Sequence, residues 1–195
     1  MEFQPDMGTI LDKSITEAFE KIYDAFKFML WKKGIESRLT PLQIQLLVLM
    51  HQRGDCCLSD LARWLHLSKA TLTEAVKTLE TKEYVFKERN GDDNRRLILK
   101  LSWQGELLAQ QMQEYRSPFE AVLAGFDQDE KEMLQINLFR VIEKMQKEGL
   151  VSTNRMCFSC SYYRGDKQDK HFCTLLNQKL GGGELKLYCR EHVDI

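Results

Sequence analysis

Apolar residues Ile15, Phe19, Ile22, Phe26 and Leu30 recur at spacings of three and four. That period predicts one apolar stripe on an amphipathic helix ending near Gly34. Such a stripe serves either as core or as a surface for a partner subunit. A second helix is predicted from Thr40-Pro41-Leu42-Gln43, where Thr40 can cap, Pro41 suits the first turn and Gln43 can complete a capping box. It continues through Leu46, Leu47 and Met50 to Gly54, a favourable stop. A short apolar piece, Cys56-Cys57-Leu58, precedes a third helix capped by Ser59 and packed through Leu61 and Leu65. Only His66 and Leu67 separate it from Ser68, which can cap a fourth helix. Two short helices joined this tightly predict a helix-turn-helix.

The fourth helix places Leu72, Val76 and Leu79 on one face. At about 100° per residue, Ala70, Glu74, Lys77 and Thr81 then turn outward, with Thr71 and Thr73 on the flanks. Two runs with strand character follow, Tyr84 to Arg89 and Leu97 to Leu101. The second alternates as a half-buried strand does. Between them, Asn90-Gly91-Asp92-Asp93-Asn94 has turn chemistry, so a β-wing is predicted. A fifth helix after Ser102 carries Leu108, Met112, Tyr115, Phe119, Val122 and Phe126, with a kink or break expected at Pro118. A sixth opens with a capping box at Asp127 and Glu130, carries Leu134, Leu138, Val141, Ile142 and Met145, and closes at Gly149. From Val151 the helical stripe disappears and cysteines, aromatics and Gly181-Gly182-Gly183 replace it. A boundary is placed there.

The formal net charge of -1 over 195 residues gives no bulk attraction to nucleic acid. Pro41 to Gly105 holds ten Lys or Arg and eight Asp or Glu, a balance of only +2. Any grip on DNA must therefore be local. The N-terminal residues lack the basic start and apolar run of a signal peptide, and no apolar run reaches the roughly 20 residues of a spanning helix. A cytoplasmic location without membrane partners is expected, where six cysteines read as thiols or metal ligands rather than a disulfide framework.

From about Leu58 to Gly105 the chain resembles MarR transcriptional regulators. The pieces that carry the likeness are LSDLARWLHLSKATLTEAVKTLE, the turn Asp93-Asn94-Arg95, and LKLSWQG with Ser102 and Gly105. The family motif has threonine where this chain has Ser102. The resemblance implies a mainly α winged helix-turn-helix fold with a small β-wing and long dimerisation helices. It further implies a homodimer on double-stranded DNA, with residues 1–34 and 106–150 pairing the subunits and 35–105 forming the DNA-binding lobe. Ser68, Lys69, Thr71, Thr73, Glu74 and Lys77 on the fourth helix, with Asp93, Arg95 and Arg96 on the wing, become the candidate DNA contacts. Hydroxyls and lysines at a helix start suit phosphates, which set register. A guanidinium such as that of Arg95 suits a narrow, electronegative minor groove, and the resemblance gives Asp93 the task of holding it. Glu74 departs from the basic residue common at its position; it can accept from cytosine N4 but repels phosphates. A small-molecule effector is implied at the junction of the first, second and fifth helices.

The 151–195 tail lies outside that resemblance. Cys157 and Cys160 are separated by two residues, Cys173 follows after twelve and Cys189 after fifteen more. Four thiolates in a short segment poor in aliphatics can bind zinc tetrahedrally or hold an iron–sulfur cluster, and so small a segment needs a staple. His171 or His192 can stand in for one thiolate. Cys56 and Cys57 read as small hydrophobes in a short strand. No nucleotide-binding glycine loop or nucleophile–histidine–carboxylate set is present, so no catalytic residue is assigned. The expected function is a transcriptional repressor modulated by a ligand or by the tail's metal or redox state. The alternatives are a protein-interaction module on a degenerate winged helix, favoured by Glu74 and the thin charge, and a thiol oxidoreductase using Cys157 and Cys160.

Overall fold

A computed structural model describes residues 7–89, 97–151 and 155–195. Helix α1 spans Met7–Ser37, three residues beyond the expected stop at Gly34. Gly34 is needed for close approach, because a Cβ there would stand 2.7 Å from the Leu39 carbonyl oxygen. The left-handed turn falls instead at Arg38, with φ of 54°. Helix α2, Pro41–Arg53, has the expected capping box of Thr40 and Gln43, and the Gly54 N–H closes it on Met50 O at 2.8 Å. Its buried Ile44, Leu46, Leu47 and Met50 form the centre of the first core.

Helix α3, Leu58–Leu65, starts from Cys57 rather than Ser59. The Asp60 carboxylate explains the difference: it accepts both the Cys57 N–H at 3.0 Å and the Cys57 thiol at 2.9 Å. His66 takes the left-handed cap conformation (φ 51°, ψ 40°), and helix α4 follows at Lys69–Thr81. Strands β1, Val85–Arg89, and β2, Leu97–Leu101, pair antiparallel from Val85–Leu101 to Arg89–Leu97. Cys56 bridges Leu99 from the other side, giving N–H to carbonyl distances of 3.3 and 2.7 Å. The alternation expected in β2 is only partly realised: Leu99 is buried, whereas Leu97 is exposed.

Helix α5, Trp103–Gln113, gives way to a 3-10 turn at Glu114–Arg116 before helix α6, Ser117–Leu123. The break thus lies just ahead of Pro118, which sits in the first turn of α6 where its missing N–H costs nothing. Helix α7, Gln128–Lys147, has the Asp127–Glu130 capping box, and Gly149 follows it with φ of 71°. The tail adds a small antiparallel sheet of β3 (Tyr163–Gly165), β4 (His171–Cys173) and β5 (Gln178–Lys179). It builds a second core in which Met156, Phe158, Tyr163, Leu180 and Leu185 pack with Phe139 of α7. Phe158 meets Phe139 edge-on at 5.6 Å, and aromatics do the work that the scarce aliphatics cannot. No helix among the described residues is long and apolar enough to cross a membrane.

Candidate nucleic-acid interface and the cysteine-lined cavity

Helix α4 is fixed from within by Leu72, Val76 and Leu79, all essentially inaccessible. Each such side chain contributes roughly 1.5–3 kcal/mol by leaving water. Its start is held by the Ser68 hydroxyl, which accepts the Thr71 N–H at 3.1 Å and lies 2.9 Å from the Thr71 hydroxyl. A cap of this kind is worth about 1 kcal/mol. The remaining face carries Lys69, Thr71, Thr73, Glu74 and Lys77, all exposed. Thr73 donates to the Lys69 carbonyl at 2.7 Å, which leaves its oxygen lone pairs outward. The structure thus gathers Ser68, Lys69, Thr71, Thr73, Glu74 and Lys77 onto one exposed surface. Asp93, Arg95 and Arg96 lie outside the described residues.

The wing is tied to this helix by Lys87, which bonds Glu80 at 2.7 Å, and to the α2–α3 segment by Lys100, which reaches Asp55 at 3.3 Å and Glu88 at 2.7 Å. Hydrogen bonds donated to the Glu88 and Asp55 carboxylates hold the Lys100 ammonium above its usual pKa. At the wing's exit, Ser102 donates its hydroxyl to Glu83 O at 2.6 Å and accepts the Gly105 N–H at 3.0 Å. His51, given no role from sequence, joins α2 to α5 through Glu106 at 2.6 Å. Cys56 is buried, and burial, reinforced by Asp60, pushes its thiol up to about 12. That is the opposite of what a redox-sensing thiol requires.

Two cavities flank α1 and α2. One of about 540 Å³ is lined by residues that include Tyr23, Phe28, Trp31 and Gln45; one of about 470 Å³ includes Trp31, Ile35, Gln43 and Lys82. The expected junction drew also on α5, which lines neither.

In the tail, Cys157, Cys160, Cys173 and Cys189 all line one cavity of about 30 Å³. The chain end brings Cys189 there by folding back on the Cys157–Ser159 turn. Cys157 N–H bonds Lys186 O at 3.0 Å, Cys189 N–H bonds Arg155 O at 2.8 Å, and Ser161 N–H bonds Val193 O at 2.8 Å. The Lys186 N–H also points to Cys157 Sγ at 3.3 Å. Burial pushes the Cys157 thiol up and this amide opposes it, while the other three cysteines act with burial. All four are free thiols. Among the described residues, no three His, Cys, Asp or Glu side chains stand at the spacing of a preformed metal site. Neither candidate histidine joins the cavity lining. His171 is buried, with Nδ1 2.7 Å from the Tyr163 hydroxyl and Nε2 without a hydrogen-bond partner among the described residues. His192 lies on Ser159, 3.1 Å from its carbonyl.

Sequence reasoning missed Arg53, at the end of α2. Its guanidinium lies over the Trp64 ring of α3 at 4.5 Å and over the Tyr188 ring of the tail at 4.7 Å. No periodicity announces a contact between residues 135 positions apart.

Residues 39–97 match the MarR family. The uncharacterized HTH-type transcriptional regulator YdgJ of Bacillus subtilis (strain 168) is 28% identical over 93 residues, 47% of this chain. The match spans 57% of the length of YdgJ. A structure from Listeria monocytogenes assigned to the MarR family, solved with a 26mer DNA, superposes with a TM-score of 0.61 at 23% identity, covering 69% of this chain and 91% of that one. Streptococcus pneumoniae FabT in complex with DNA gives 0.58 at 18% identity, covering 69% and 97%. The winged helix fold of these proteins is the fold of this chain.

Proposed function

We propose that this protein is a DNA-binding transcriptional regulator of the MarR type, acting as a homodimer and most simply as a repressor. The observation that carries the reading is the exposed face of α4, capped by Ser68 and followed by a two-stranded wing. That is the arrangement in which a recognition helix enters a major groove while a wing reaches the neighbouring minor groove. The Listeria structure and FabT, which share the fold, were solved on DNA. On this reading Lys69, Lys77, Ser68, Thr71 and Thr73 hold phosphates, Glu74 faces base edges, and Arg95 with Arg96, held by Asp93, serves the wing. Helices α1, α6 and α7 supply the subunit contact: Ile15, Phe19, Ile22, Val122 and Val141 are at least 40% exposed on a single chain. Apolar stripes of this extent call for a partner. The cavities beside Trp31 offer an effector a place between that contact and the lobe, where it would shift the population of DNA-competent dimers. Reading no catalytic set into the chain agrees with relatives described as regulators.

Selection of bound duplexes from a random pool tests the proposal. A pseudo-palindrome with half-sites about one helical turn apart supports it. Failure to enrich any sequence at low salt would leave the interaction-module reading in its place.

A further inference from the structure

We propose that Cys157, Cys160, Cys173 and Cys189 bind one thiophilic divalent metal ion, zinc by chemistry, and that Tyr188 links this site to the DNA-binding lobe through Arg53. The four cysteines come from three stretches of the tail, the Cys157–Ser159 turn with Cys160, strand β4 and the chain end, yet all line the same cavity. Four cysteines, in a lining that also includes Glu191, supply the thiolate set of tetrahedral structural zinc. The Cys157–Ser159 turn and the Lys186 N–H aimed at Cys157 Sγ supply the turn and amide support that a bound thiolate uses. In the binding step the four S–H bonds break, the protons pass to solvent, four metal–sulfur bonds form and no electron is transferred. The sulfurs line the cavity without standing at coordination spacing, so binding must draw them inward, and Cys189 moves with the residue before it.

That residue is Tyr188. Its ring carries the Arg53 guanidinium, which also lies over Trp64 of α3, the helix packed against the recognition helix. Arg53 Nε is buried without a hydrogen-bond partner among the described residues, so the two rings provide its favourable surroundings. Metal loading therefore fixes Tyr188, Tyr188 fixes Arg53, and Arg53 biases α3 and α4. This second half rests on the DNA-binding reading above; the metal site does not.

The test uses the full chain, purified without chelator, with elemental and sulfide analysis followed by zinc titration of chelator-treated protein on a fluorescent duplex. About one zinc per chain and no sulfide are expected. Alkylation of the tail cysteines should be blocked with zinc and restored by chelation, a readout that needs no variant. C173S should lose the metal, and C57S should keep it. Zinc should change duplex affinity about tenfold, as coupled sites do; in Y188A, zinc stays bound and the change falls below about twofold. No retained metal, or iron with sulfide, overturns the site. An equal response in wild type and Y188A overturns the link. Zinc-loaded protein that binds no duplex in any state overturns the DNA-binding reading and the link with it, and the metal count still decides the site.

Discussion

Gly105 packs so closely on Tyr84 that a Cβ at position 105 would stand 1.9 Å from the Tyr84 carbonyl oxygen. The obstacle is backbone, which cannot rotate away. Tyr84 O also accepts the Ser102 N–H at 3.0 Å, so the start of the wing and the start of α5 are clamped together. This is the physical content of the Ser102-x-x-Gly105 motif. Gly105→Ala should cost about 1–3 kcal/mol or more in denaturant unfolding, and Ser102→Ala about 1 kcal/mol through the lost cap. An unchanged midpoint for Gly105→Ala would show that the clamp is not part of the native state.

On the face of α4, Lys69→Ala and Lys77→Ala should weaken binding to all duplexes alike. Each should reduce the slope of log affinity against log salt by about 1. Glu74→Gln should raise overall affinity and alter preference at one base pair, because it removes repulsion from phosphates and changes an acceptor-only group. Anisotropy titrations on selected and scrambled duplexes separate the two effects. Identical salt slopes for wild type and the lysine variants would remove these residues from the interface.

Ile15, Phe19 and Ile22 are 46, 40 and 42% exposed on the single chain, a cost that a subunit contact would relieve. Phe19→Glu places a charge in that contact and should yield a folded monomer in sedimentation velocity, with the helical circular dichroism retained. A variant that sediments as the wild-type protein does would move the proposed interface elsewhere.

Glu143 of α7 receives Lys167 at 2.7 Å and Lys147 at 2.8 Å. Burial acts to raise its carboxyl, but the two lysines outweigh it and hold the pKa below the usual carboxylate value. A depressed folded pKa stabilises above the unfolded pKa and loses that contribution as pH falls through the folded one. Hydrogen exchange in residues 155–195 should therefore accelerate as pH drops below about 4.5, after correction for intrinsic rates. The extra acceleration should vanish in Glu143→Gln; a profile the same in both proteins would assign the acid sensitivity to another group.

The elements legible in the sequence were those specified locally. Ser68, Thr40 with Gln43, and Asp127 with Glu130 each act within four residues, and each caps as its spacing predicts. Where an element departs from its local pattern, a longer-range contact decides. Gly34 serves the approach of Leu39 rather than a stop, and Asp60 moves the α3 cap to Cys57. Spacing and a shortage of aliphatics together point to a shared role for the four tail cysteines, whereas the cavity they line depends on the chain end folding back through Cys189 and Val193. Arg53 on Tyr188 and the buried His171 left no sequence signal, because an arginine at a helix end and a histidine in a polar segment look like surface.

Whether this chain is a sequence-specific DNA-binding protein is decided by its binding to the selected duplex, followed by anisotropy from low to high potassium chloride. Affinity for that duplex should be about a thousandfold or more above that for a scrambled one, falling steeply with salt as phosphate contacts require. Equal, weak binding to both duplexes, or none at the lowest salt, would contradict it.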